Sequence, residues 1–188
     1  MNYETHIKPF SDNFVRINIS EDNYIKADSF AKKMIAAKSK EEHHKIDNDS
    51  VYKRFLTGTL GELALEQFFG VKGIMNWEIG ESLKYHSPDL RDIGLKIGIK
   101  SVSYGLFPIT FIKSYYPEII NIVYKDYVYI CGVATVDVLN KYQSIELIKN
   151  SKLKARGTKT GFYGFNKLKK FSTLEDLKTI TKLNSKCY

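Results

Sequence analysis

Two cysteines, four prolines and one tryptophan are all that this chain of 188 residues carries of those types. Cys131 lies in an apolar run and Cys187 is penultimate, so no CxxC pair or disulfide framework organises the chain. No stretch approaches the ~18 apolar residues of a membrane helix, and Met1 to Phe10 lacks the apolar centre of a signal peptide. A soluble, cytoplasmic protein without membrane association is the expectation. A GxxxxGK[ST] phosphate loop is missing, so ATP use within the chain is not expected. Neither an internal repeat nor a Pro/Gly/Ser-rich linker interrupts residues 1–188, which read as one domain. Ser101 and Ser103 have no His–Asp partners in their context, which speaks against a serine hydrolase. His43 and His44 are adjacent, diverge on a helix, and have no acid or Cys at ligand spacing. They read as a solvated helix end.

Acidic residues are scarce in one place. Between Leu147 and Leu174 there is no Asp or Glu, while Lys149, Lys152, Lys154, Arg156, Lys159, Lys167, Lys169 and Lys170 supply positive charge equal to the whole net excess of +8. The basic carboxy-terminal segment 147–174 is therefore a local footprint for a polyanion, nucleic acid first and an anionic membrane second. Within it, Gly157 to Lys167 interleaves glycines, lysines and Phe162, Tyr163 and Phe165. That composition suits phosphate contacts with base stacking, or a core strand with solvated lysines.

The hydrophobic content of 43%, of which aromatics are a large part, is enough to bury a core. Alternation predicts a strand over 14–19, and Ser20 caps a helix reaching about Lys45, with Tyr24, Ala27, Ala31, Met34, Ile35 and Lys38 at helical spacing. A second helix is predicted from Tyr52 to Phe69, stopped by Gly70. Gly58 and Gly61 cost it roughly 1 kcal/mol each relative to Ala, which implies close backbone approach to a strand or phosphate. Strands are predicted at 75–79, 95–102, 107–112 and 126–135, a helix at 136–149, and a final helix opened by a Ser172–Glu175 capping box. The fold class is α/β (α+β), a central mixed β-sheet flanked by helices.

Hydrolysis of a phosphodiester needs an activated water, stabilised non-bridging oxygens and help for the leaving oxygen, all of which divalent metals provide. Mg²⁺ takes hard oxygen donors and keeps several waters, so one or two carboxylates and a strand carbonyl suffice. Ser87-Pro88-Asp89-Leu90, followed by Ile97-Gly98-Ile99-Lys100-Ser101, offers Asp89, the Ile99 carbonyl and Lys100. Gly61-Glu62-Leu63-Ala64 adds a helix glutamate. In a strand Gly98 and Lys100 share one face and the isoleucines the other.

This constellation, over roughly 55–135, resembles the PD-(D/E)XK nuclease superfamily. The resemblance implies a restriction-endonuclease-like fold and a Mg²⁺-dependent DNA endonuclease, with Mn²⁺ able to substitute. Asp89, Glu62 and Ile99 would hold the metal, and Lys100 would assist the attacking water. Lys154, Arg156, Lys159, Lys167, Lys169 and Lys170 would grip DNA, double-stranded or branched. Cutting both strands would call for a homodimer. The sequence departs from the pattern at Gly98, where the family has Glu or Asp. Glu62 is the natural substitute, with Gly58 and Gly61 bringing its helix close and Gly98 leaving room; Asp92 and Glu81 are weaker ones. The alternative is a non-catalytic DNA-binding or DNA-structuring protein on the same scaffold.

Overall fold

A computed structural model describes residues 2–38, 50–79 and 88–185. In chain order they form α1 (Tyr3–His6), β1 (Val15–Asn18), α2 (Glu21–Lys38), α3 (Ser50–Phe69), β2 (Gly98–Ser103), β3 (Ile109–Phe111), β4 (Glu118–Tyr124), β5 (Tyr127–Ala134), α4 (Val136–Lys141), β6 (Gln143–Ser144), α5 (Ser151–Ala155), β7 (Lys159–Phe162) and α6 (Leu174–Ser185). β1, β5, β4 and β2 make a mixed sheet in that order, in which β2 and β4 run parallel and the other pairs antiparallel. A smaller antiparallel sheet orders β3, β7 and β6. The mixed α/β class expected from the sequence is observed.

The large sheet is buried on both sides because β4 and β5 are apolar on both faces. On one face Ile99, Ile119 and Ile130 pack with Leu65 of α3 and Leu177 of α6, while Val123 and Val128 meet Leu60 and Ala64 of α3 and Ala27 and Ala31 of α2. On the other face Ile120, Ile122 and Cys131 pack against Leu139 of α4 and Phe162 of β7. Each fully buried Ile, Leu or Phe contributes about 1.5–3 kcal/mol, so these three clusters fix the order of layers.

Gly61 has the close approach expected of it. A Cβ there would stand 1.8 Å from Ser101 Oγ, and Asn121 Nδ2 donates to the Gly61 carbonyl at 3.3 Å. Gly58 meets nothing within 4 Å and makes no such approach.

Several expected elements differ. Residues 75–79 are a loop, because one carboxylate oxygen of Glu66 accepts the N–H groups of Gly73, Ile74 and Met75 at 2.7, 3.0 and 3.1 Å and takes them out of any ladder. The helix expected over 136–149 stops at Lys141, after which β6 pairs with β7. The last capping box is one residue later than expected. Thr173 Oγ1 accepts from Asp176 N, and the Asp176 carboxylate accepts from Ser172 and Thr173 N–H. α2 is described to Lys38; the rest of that predicted helix, including His43 and His44, lies outside the described residues, as do Glu81 and Ser87. β4 was not anticipated, and it decides the site.

Candidate active site

Pro88 and Asp89 open a short arc that turns back onto the start of β2. Leu90 N–H donates to Ile97 O at 3.0 Å and Leu95 N–H to Leu90 O at 3.0 Å, around a 3-10 turn at Arg91–Ile93. The arc lays Asp89 against the outer edge of β2, where its Oδ2 accepts from Ile99 N–H at 2.5 Å. Alternate residues of a strand address opposite edges. Gly98 N–H points inward to Pro117 O at 2.9 Å, so Ile99 directs its N–H and its carbonyl outward, to the side where Asp89 sits. The three residues that the sequence grouped by spacing, Asp89, Ile99 and Lys100, are thus together in space.

The fourth member comes from β4. In the parallel register Gly98 stands opposite Glu118, and Lys100 opposite Ile120. Register partners project to the same face, so Glu118 emerges beside the empty position of Gly98. A Cβ on Gly98 would lie 3.3 Å from Glu118 Cγ and 2.7 Å from the ring of Tyr116. The space is therefore filled by Glu118 and Tyr116, which corrects the expectation that Glu62 crosses it. Lys100 Nζ is 3.7 Å from Glu118 Oε1. Glu118 is only 2% exposed, and its second oxygen, Oε2, has no hydrogen-bond partner among the described residues.

Charge is crowded here. Burial raises the Glu118 carboxyl above its ordinary range, Lys100 opposes that shift, and Asp89 adds to it. Burial likewise raises Asp89, against the pull of Lys100 and the Ile99 N–H. For Lys100, burial lowers the ammonium, but Glu118 and Asp89 outweigh it and hold the group above its usual value. Lys159 approaches from β7. Burial and the Lys100 charge bring it down to about 8 despite Glu118, and its ammonium sits 3.0 Å above the Phe111 ring centre.

Glu62 sits apart from this group. It lines a separate cleft with Asp89, Asp92, Arg54 and Met75, and burial, then Asp89 and Glu66, push its carboxyl up to about 8. The Asp89 charge acts on both sets of groups: on Glu62 of α3, and on Lys100 and Glu118. Asp92 is exposed beside Arg91 at 3.6 Å. Among the described residues no group of three His, Cys, Asp or Glu side chains is close enough to hold a metal ion. The donor set available on the Lys100 side is two carboxylates, Asp89 and Glu118, with the Ile99 carbonyl.

The basic segment is dispersed. Lys154 pairs with Glu146 at 2.8 Å. Lys170 donates to Asn13 O at 2.6 Å and Cys131 O at 2.9 Å, tying the segment to the body of the fold. Lys169 bonds Val133 through its backbone, leaving its side chain exposed, as are those of Arg156 and Lys167. Phe162 and Phe165 are core residues and Tyr163 is half-buried, so this aromatic run is mainly structural. Comparison of the chain with protein-family models, curated proteins and solved structures finds no match.

Proposed function

We propose that the protein is a divalent-metal-dependent DNA endonuclease of PD-(D/E)XK type, in which Glu118 of β4 provides the carboxylate that Gly98 lacks. The observation that carries this reading is the register: a buried glutamate with an unsatisfied oxygen sits opposite Gly98, on the face of Lys100 and close to it. Asp89, Glu118 and the Ile99 carbonyl are hard oxygen donors suited to Mg²⁺ or Mn²⁺. The ion, when bound, would supply Lewis acidity toward a phosphate and lower the pKa of a water. Lys100 holds a positive charge beside both carboxylates, where it can orient a nucleophile and offset charge developing on a phosphate. The Ile99 N–H fixes the Asp89 carboxylate, a positioning role that outer partners of metal ligands commonly fill. Exposed Arg156, Lys167 and Lys169 would contact backbone phosphates.

A restriction-endonuclease-like arrangement and a DNA substrate are part of this proposal. A second reading, a DNA-binding protein that does not cleave, is favoured by the lack of a three-acid cluster among the described residues. Incubating plasmid DNA with the protein, with and without Mg²⁺ or Mn²⁺, separates them. Metal-dependent nicking or linearisation that disappears in Asp89→Ala supports the nuclease. A gel shift without cleavage supports the second reading, and neither result would remove both.

A further inference from the structure

Beside Glu118 lies a cleft of about 640 Å³. The strand end and loop carrying Phe111, Ile112, Tyr115 and Tyr116 line it together with the adjoining Gly157 and Thr158 ahead of β7, and Pro88 and Lys96 line it from the segment before β2. The interior is apolar while Lys96 and Lys113 stand at its rim. Its volume falls in the range of small-molecule sites. Tyr115 is 70% exposed and Ile112 42% exposed, so both present apolar surface at the cleft, and the Lys113 ammonium stands 5.9 Å from the Tyr115 ring centre.

The walls are braced in place. Ser114 N–H donates to Asn140 Oδ1 of α4 at 2.9 Å, Gln143 Nε2 of β6 donates to Ile112 O at 2.9 Å, and Ile112 N–H donates to Thr158 O at 3.2 Å. A loop held by three bonds from three elements presents a formed surface, so binding there costs little ordering.

We propose that this cleft receives the base of an unpaired nucleotide next to the phosphodiester at the Asp89–Glu118 site, an inference that rests on the nuclease reading above. A nucleotide joins a flat apolar base to an anionic phosphate, and the cleft joins aromatic and aliphatic walls to rim lysines. A base in a duplex is stacked and paired and must be flipped out at a cost of a few kcal/mol to enter such a recess; one in a bulge, flap or single strand enters without most of that cost. Lys159, over the ring of Phe111 that lines the cleft and within the field of Glu118, puts a cation close to both, where a connecting phosphate would pass. The unpartnered Oε2 of Glu118, a residue that lines the same cleft, ties the recess to the reacting centre. The substrate class is DNA with an unpaired nucleotide at the scissile position.

The test is binding of metal-free protein to three fluorescent DNAs of one length: a full duplex, the same duplex with one central bulged nucleotide, and a single strand. Base–aromatic stacking implies about tenfold tighter binding of the bulged than of the paired duplex. Tyr115→Ala and Ile112→Ser, both at the surface, should each reduce that preference and together abolish it, with duplex affinity and the folded circular dichroism spectrum unchanged. With 2-aminopurine as the bulged base, wild type should quench its fluorescence and the double variant should not. Equal affinity of wild type for paired and bulged duplexes overturns the inference while leaving the nuclease reading intact. A preference that survives the double variant overturns it equally. No binding to any of the three DNAs overturns the nuclease reading and this inference with it.

Discussion

Replacing Glu118 by Gln removes one charge and almost no volume, which makes it the sharpest probe of the site. Two opposite charges about 4 Å apart attract by about 4 kcal/mol at an effective dielectric of 20, before desolvation is counted. Lys100 and Glu118 are 3.7 Å apart, and Glu118 is nearly fully buried, so both terms are large and partly cancel in stability. In metal binding they do not cancel. Outer-sphere partners of metal ligands are worth 10–100-fold in affinity, so a direct carboxylate donor should be worth on the order of 100-fold or more. Titration calorimetry with Mn²⁺ reads this without DNA, and plasmid nicking against Mg²⁺ concentration reads it in activity. The pH dependence has a definite sign. The Glu118 and Asp89 carboxyls are raised by burial, metal must displace their protons, and wild-type affinity should rise with pH beyond the usual carboxylate range. Glu118→Gln should flatten that rise. A companion exchange, Gly98→Glu with Glu118→Gly, moves the carboxylate across one strand spacing of about 4.8 Å. It should recover part of the lost affinity, at a cost of about 1–3 kcal/mol because the Tyr116 ring must shift. Metal binding and cleavage by Glu118→Gln equal to wild type would refute the role given to this residue.

Lys100→Ala should lower the cleavage rate by about 100-fold or more with little change in DNA affinity, measured by single-turnover kinetics beside equilibrium binding. A change confined to affinity would make Lys100 a phosphate clamp. Glu62 ionises at about 8 in the fold, above its ordinary value. The folded state then holds a proton that the unfolded chain has released, so wild-type stability falls as pH rises from about 4.5 to about 8. Glu62→Gln should make that fall shallower in denaturation scans, the raised Asp89 and Glu118 carboxyls supplying the remainder, and leave cleavage at pH 7 intact; lost cleavage at pH 7 would return Glu62 to the metal site. Gly61→Ala gains helix propensity but drives a methyl into Ser101, and a net loss of about 1–3 kcal/mol should lower Tm by several degrees. Converting Lys167 and Lys169 together to Gln should flatten the dependence of log affinity on log salt by about 1.8 if both touch duplex phosphates. Lys170→Gln should instead lower Tm, because its ammonium ties Asn13 to Cys131.

The sequence by itself determined the local matters. Alternation located β1 and helical spacing α2 and α3, since a face that must be buried writes its period into the chain, and a continuous apolar run located β5. Gly61 in a helix announced a close neighbour, and Pro88–Asp89 with the apolar run ending in Lys100 announced an acid beside a lysine. Glu118-Ile119-Ile120-Asn121-Ile122-Val123-Tyr124 carried the same signal as β5, a β-branched apolar run, and could have been read as a buried strand. Its meaning for the site could not. That Glu118 faces Gly98 depends on the parallel register of two strands separated by β3 and its flanking loops, and such a register is chosen by packing on both faces of the sheet. Tertiary structure likewise decided that Glu62 and Glu118 line separate clefts, because α3 covers one face of the sheet and β7 the other. It also sorted the basic segment, where charge alone made Lys170 and Lys167 equivalent. One is held by two carbonyls of the fold and the other is left to solvent.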